Sequence, residues 1–204
     1  MKKKLFIITM IFLSMSLLYA ETFTVEEKVN WINFRNTNVN VDGNLIKTSI
    51  TTSWDADAIS SQTIEDGEDG FIKINIVNSS IYMIGFENNN NNANYTSLNY
   101  ATYIHSNGYH YIYEFGVYKG QFGTYNIGDV FEMKRIGTTI TYYKNNNLYY
   151  TSGTASTGAL FIDTSLHSGS PIIDATIGYK SIPEPITGIL LAISIIAFIF
   201  FRKK

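Results

Sequence analysis

Between residues 55 and 69 the sequence concentrates acidic side chains: Asp55 and Asp57, then Glu65-Asp66-Gly67-Glu68-Asp69. Carboxylates this close together supply the oxygen ligands that calcium takes, which makes Asp55, Asp57, Asp66 and Asp69 the candidates for a metal site. Their spacing does not match the twelve-residue EF-hand loop, and Gly67 and Gly70 suit a solvated turn equally well. The three histidines, His105, His110 and His167, fall at no ligand-like spacing, and cysteine is absent, which argues against zinc. No G-x-S-x-G elbow accompanies them, so no serine nucleophile is indicated. Tyr109, Tyr111 and Tyr113 alternate along one short segment and therefore share a face if that segment is a strand. Rings in a row offer large, rigid apolar area with a polar tip, suited to stacking on sugar rings or on a protein partner. They suit the lining or outer cover of a β-sandwich equally well. Trp31 and Trp54 read as core or rim residues.

The segments that must position these residues read as strands. From Glu21 to Pro185 no run of ten or more residues has helical periodicity. Ile72, Ile74 and Ile76 alternate with Lys73 and Asn75, and Phe131 and Met133 with Glu132 and Lys134, the period-two pattern of strands with one buried face. The same reading predicts strands over 29–34, 38–41, 45–50, 80–86, 98–104, 109–115, 138–144, 147–151, 159–162 and 172–179. Asp42-Gly43-Asn44, Ser106-Asn107-Gly108 and Asn145-Asn146-Asn147 are the hairpin turns between them, since Gly and Asn tolerate positive φ. Asn88 to Asn92 read as a mobile loop. A dozen short strands with such turns and no helix predict an all-β fold, an antiparallel two-sheet jelly-roll sandwich.

The two ends have a different character. Lys2, Lys3 and Lys4 precede an apolar run from Leu5 that continues to Ala20, the layout of a secretory signal peptide over residues 1–20; an uncleaved N-terminal anchor is the alternative. Ile186 to Phe201 is apolar apart from Thr187 and Ser194 and is followed at once by Arg202, Lys203 and Lys204. As a helix it would be about 24 Å long, against a hydrocarbon core of about 30 Å. It spans if the bilayer thins or the terminal cations snorkel. Basic flanks prefer the cytoplasmic side, so both ends point inward and the strand-rich middle lies outside. Six of the 15 Lys and Arg sit in these ends, leaving nine against 17 acidic residues and a net charge near −8 on the exported part. An acidic, lysine-poor surface argues against a nucleic-acid partner. With no cysteine, the exported domain, residues 21–182, must rely on its own core rather than on disulfides.

Pro183-Glu184-Pro185, the apolar segment and the basic cluster Arg202, Lys203 and Lys204 together resemble the PEP-CTERM sorting signal of Gram-negative bacteria, over residues 183–204. The resemblance implies a substrate of exosortase, a membrane-embedded cysteine transpeptidase-like enzyme thought to cut near that motif, and a transient anchorage in the cytoplasmic membrane. Proline restricts both its own φ and the preceding residue, so Pro-Glu-Pro stays extended, as a protease-like site requires. A permanent membrane anchor is the alternative.

From Trp31 to Gly178 the chain is similar to the concanavalin A-like lectin and glucanase superfamily. The similarity is carried by Asn38-Val39-Asn40-Val41 leading into Leu45-Ile46-Lys47-Thr48, then Trp54-Asp55-Ala56 with Ser61-Gln62-Thr63-Ile64 and Asp69-Gly70-Phe71. Gly128-Asp129-Val130-Phe131 follows, and then Ile140 to Asn145 with Leu148 to Ser152. It implies a jelly roll and a tendency to bind glycans, but no particular ligand. Laminarinase-like members cut β-glucans with two glutamates and an intervening aspartate alternating on one strand, and retaining chemistry needs carboxyls roughly 5 to 5.5 Å apart. Here the nearest approximation, Glu65 to Asp69, is broken by Gly67 in a turn. The expectation is therefore a non-enzymatic exported surface or matrix protein that binds extracellular polysaccharide or an envelope partner. A diverged glycoside hydrolase and a purely structural surface protein are the alternatives.

Overall fold

In a computed structural model of the chain, the described residues are 23–89, 92–169 and 171–181. The segment read as a signal peptide, the Pro-Glu-Pro motif, the apolar C-terminal segment and its basic cluster lie outside them. The chain divides into two units, residues 26–179 and residues 1–25 with 180–204. Of the second, only the outer ends of two strands are described.

The strands, in chain order, are β1 (Phe23–Lys28), β2 (Trp31–Arg35), β3 (Thr37–Val39), β4 (Leu45–Lys47), β5 (Asp57–Ile64), β6 (Gly70–Asn75), β7 (Ile81–Glu87), β8 (Tyr100–Ile104), β9 (Tyr109–Glu114), β10 (Val117–Thr124), β11 (Val130–Ile136), β12 (Thr139–Lys144), β13 (Asn147–Thr151), β14 (Leu160–Ser168) and β15 (Ile172–Ser181). They form two antiparallel sheets. One has eight strands in the order β13-β12-β11-β6-β15-β4-β3, with β1 beside β15. The other has seven, in the order β10-β9-β8-β7-β14-β5-β2. This is a jelly-roll-like sandwich. Its core is the predicted one-sided alternation made real: Ile72, Ile74, Phe131, Met133, Ile140 and Tyr142 from one sheet meet Tyr82, Ile84, Phe86, Ile104, Ile112 and Ile162 from the other.

The predicted turns set the register. Val39 pairs with Leu45 around Gly43, whose φ is +75°. Lys144 pairs with Asn147 around Asn145 and Asn146, both at positive φ (50° and 66°), the backbone of a type I′ hairpin. The turn at Ser106–Gly108 pairs Ile104 with His110, Tyr103 with Tyr111 and Ala101 with Tyr113.

The structure adds strands that alternation does not announce. β5 is buried on both faces through Asp57, Ala58, Ile59 and Ser60, so it shows no alternation. β10 is an edge strand, largely exposed and broken by Gly120 and Gly123 at register shifts against β9. β14 runs on past Ile162 to Ser168 through Asp163, Thr164 and Ser165, all buried. The described part of the asparagine-rich loop is anchored rather than free. Asn94 caps the short 3₁₀ turn Tyr95–Ser97 by accepting from the Thr96 amide, Ala93 is buried, and the Ser165 hydroxyl donates to the Ala93 carbonyl at 2.5 Å.

Candidate functional site

Successive side chains of a strand point to opposite faces, so the seven-stranded sheet has an inner set facing the core and an outer set facing away. On β9, His110, Ile112 and Glu114 are buried inward while Tyr111 and Tyr113 point outward. Register then places Tyr103 of β8 across from Tyr111, and Tyr118 of β10 across from Tyr113. The four rings form a continuous cluster: Tyr103 lies 5.4 Å from Tyr111 and 5.7 Å from Tyr113, and Tyr113 lies 5.5 Å from Tyr118. His105 extends the cluster, its ring 5.5 Å from that of Tyr103.

Two loops complete this face. Trp54, from the segment between β4 and β5, sets its ring 5.7 Å from Tyr103, 5.2 Å from Tyr95 and 4.9 Å from His167. Tyr95 reaches Tyr113 at 5.7 Å from the 3₁₀ turn. Beneath them Met83, Leu98 and Ala101 form a small second apolar cluster, which gives the rings a dry base. Tyr118 keeps 53% of its surface exposed and the other rings are partly exposed. Burial and the neighbouring Tyr113, Tyr111 and Tyr95 push the Tyr103 phenol up to about 12, and burial with Tyr95, Tyr118 and Tyr111 also raises Tyr113, so Tyr103 presents a neutral O–H at neutral pH. Of the three tyrosines singled out in the sequence, Tyr111 and Tyr113 thus belong to an aromatic face. Tyr109, 37% exposed at the start of β9, lies outside the cluster.

Beside the aromatic face, the outer side of β5, β14 and β7 carries three carboxylates that the sequence did not bring together. Asp57, Glu87 and Asp163 are 0%, 1% and 0% exposed. Arg35 of β2 donates to Asp57 Oδ2 at 3.2 Å. Burial raises the Asp57 carboxyl to about 6, with Arg35 opposing and Glu87 assisting. Asp163 is raised well above the carboxylate range by burial, then by its hydrogen bond to Glu87 and the charge of Glu87. Asp163 Oδ1 also accepts from the Thr164 amide at 2.7 Å. Carboxyls closed from solvent in this way do not touch a substrate in this conformation.

Their protonation has a thermodynamic signature. Asp57 and Asp163 hold protons more tightly folded than unfolded, so their stabilising contribution is complete below about 3.8 and is lost as pH rises through the folded values, about 6 for Asp57. His110 works in the opposite sense: burial lowers it to about 4, and its contribution is lost as pH falls from 6.5 towards that value. Asp163→Asn keeps the acceptor for Thr164 and gives Glu87 a permanent donor. Calorimetry is expected to show the variant melting above the wild-type chain at pH 8, with the advantage shrinking towards pH 4. An advantage that does not change with pH would mean that Asp163 does not titrate in this range.

The four calcium candidates do not converge. Asp55 works against its own burial: Lys47, Thr51 and Ser49 hold its carboxyl down to about 2. Asp57 faces Arg35. Asp66 Oδ1 accepts from the Gly158 amide at 2.7 Å, and Asp69 Oδ1 from the Gly137 amide at 2.6 Å. The stretch Glu65–Asp69 instead wraps around Arg135, whose guanidinium donates to the carbonyls of Glu68, Ile64, Glu65 and Gly158. Among the described residues no group of three or more His, Asp or Glu is arranged to hold a metal ion. None of their helices is long and apolar enough to cross a membrane. Trp31 is buried in the core, as read from sequence, and His110 lies inward between Phe131 and Tyr149.

No known protein family matches the chain, and no curated protein matches it. Solved structures do resemble it. The SPRY domain of human HERC1 is 13% identical, covering 76% of this chain and 99% of that one, with a TM-score of 0.51. The lectin UEA-II, in a structure complexed with galactose, is 8% identical over 77% of this chain and 98% of that one, with a TM-score of 0.50. The exoplasmic/lumenal domain of VIP36, in its Ca2+/Man3GlcNAc-bound form, is 8% identical over 79% and 84%, with a TM-score of 0.50. At these identities the likeness is one of fold: this chain has the two-sheet architecture of lectin and SPRY domains.

Proposed function

We propose that this chain is an exported, exosortase-sorted surface or matrix protein whose sandwich binds polysaccharide without cleaving it. The observation that carries the binding is the outer face of the seven-stranded sheet, where Tyr103, Tyr111, Tyr113, Tyr118 and Trp54 set linked, partly exposed rings on a packed base. Sugar rings present C–H faces and hydroxyl rims, and an aromatic surface edged by phenol O–H groups and His105 answers both. Two domains of similar fold, the lectin UEA-II with galactose and the VIP36 exoplasmic/lumenal domain with Man3GlcNAc, were solved with sugars bound, which supports the reading. The apolar ends with their basic flanks and the Pro-Glu-Pro motif support export and sorting. The partners of this reading are extracellular polysaccharide, exosortase and, until processing, the cytoplasmic membrane.

Affinity electrophoresis of the chain through gels containing acidic and neutral polysaccharides tests the binding. Retardation by at least one polysaccharide, with no release of reducing sugar, is the expected result. Free migration in every gel would overturn it in favour of a purely structural component. The buried carboxylates Asp57, Glu87 and Asp163 favour a second reading, a glycoside hydrolase that exposes them on opening, and reducing ends that appear in proportion to protein would establish it. Sorting is tested by expression with and without a functional exosortase: the tail is expected to be lost only where exosortase works. A tail retained at the membrane in both strains would make the segment a permanent anchor.

A further inference from the structure

Lys47 is an unusual side chain for the end of a strand: its side chain is only 2% exposed. It leaves β4 in the eight-stranded sheet and ends against the other sheet. Around its Nζ lie the carbonyls of Thr51 at 3.0 Å, Ser53 at 2.9 Å, Leu166 at 3.4 Å and His167 at 2.5 Å, and Asp55 Oδ1 at 2.7 Å. An ammonium has three N–H donors. Five surrounding oxygens, four of them backbone carbonyls and one a carboxylate, exceed what donors require and match the all-oxygen surroundings of a bound hard cation. Three of the five oxygens come from the segment that carries Trp54, including both of its chain neighbours, Ser53 and Asp55. The other two come from the end of β14, where the His167 ring packs on Trp54 at 4.9 Å.

We propose that Lys47 is the positioning residue of the aromatic face: its ammonium acts as a built-in cation in an oxygen cage, pinning the Trp54 segment to β14 and so holding the indole against Tyr95 and Tyr103. The charge is the active element, because the cage oxygens repel one another when the cation is gone. Asp55 would then face the four carbonyl dipoles without compensation, and the segment would lift. Asp55 Oδ2 itself accepts from Thr51 Oγ1 at 2.6 Å, and its backbone carbonyl accepts from Asn36 Nδ2 at 2.9 Å, so the segment moves as a unit. Only the role in recognition rests on the carbohydrate reading; the role in placing Trp54 stands apart from it.

The test uses the full chain labelled with 5-fluorotryptophan, in which Trp31 and Trp54 give two 19F resonances, assigned with Trp54→Phe. Lys47→Ala is expected to shift the Trp54 resonance and leave that of core Trp31 in place. Propylammonium, which replaces the atoms removed, is expected to return the Trp54 resonance, whereas propanol, which has the same length without the charge, does not. Lys47→Met, which keeps the apolar stem, is expected to shift Trp54 as Lys47→Ala does. An unmoved Trp54 resonance in both variants would overturn the proposal. So would equal rescue by propanol, or loss of both resonances in both variants, which would assign Lys47 to the sandwich as a whole. If the resonances behave as expected and the wild-type chain still migrates freely through every polysaccharide gel, the failure belongs to the sugar reading and not to Lys47.

Discussion

Arg135→Met is expected to lower the unfolding free energy by about 3 kcal/mol or more, read from the midpoint and slope of urea denaturation. The side chain is 1% exposed, and its Nε and Nη1 donate to Glu68 O and Gly158 O at 2.8 Å each, with both remaining donations, to Ile64 O and Glu65 O, made by Nη2. Removing it takes this donor from the carbonyls of Glu68, Ile64 and Gly158, while Glu65 O keeps the Glu68 amide at 3.0 Å, and each orphaned buried group costs about 1 to 3 kcal/mol before water enters. The loss extends beyond one turn, because Asp66 accepts from Gly158 and Asp69 from Gly137, so the acidic stretch, the 153–159 loop and the β11–β12 turn are tied to the same guanidinium. Arg135→Lys is expected to recover only part of the loss, since an ammonium lacks the planar fork that reaches both sides. A change below about 1 kcal/mol in the methionine variant would show that the loops hold themselves.

Tyr103→Ala is expected to weaken polysaccharide binding by about tenfold or more while the chain still unfolds cooperatively. Tyr103 is the hub of the aromatic face, in ring contact with Trp54, His105, Tyr111 and Tyr113. Its truncation both removes a stacking surface and lets its neighbours turn. Tyr109→Ala, on the same strand face but outside the cluster, is expected to change binding by less than about twofold. Equal losses in both variants would mean that binding depends on strand tyrosines in general and not on this cluster.

How much of this was legible depends on what each residue's neighbours are. The hairpin turn at Ser106–Gly108 was readable, and it already fixes Tyr103 opposite Tyr111, so half of the aromatic face could have been found by counting outward from the turn. Trp54 and Tyr95 could not, because they arrive from loops whose paths are set by Lys47 and by the Ser165–Ala93 hydrogen bond. The carboxylate trio was hidden for a related reason. Asp163 sits in Asp-Thr-Ser, a polar run that ends a strand by pattern, yet β14 continues because the loop over its outer face covers those polar groups. The acidic stretch 65–69 misled in the opposite direction. Its composition suggests a metal, but the carbonyls of Glu68 and Glu65 serve a buried cation 67 and 70 residues away in sequence, Arg135.

The sequence by itself determined the two-sheet class, most of the strands, three hairpins and the apolar core, because these follow from period-two burial and from positive-φ turns, which are local properties of the chain. Only the tertiary structure decided which polar residues are buried together, which rings share the outer face, and which cations, Lys47 and Arg135, hold the loops. Those outcomes depend on pairing between segments far apart in the chain, and a single strand's pattern carries no record of what will lie across from it or over it.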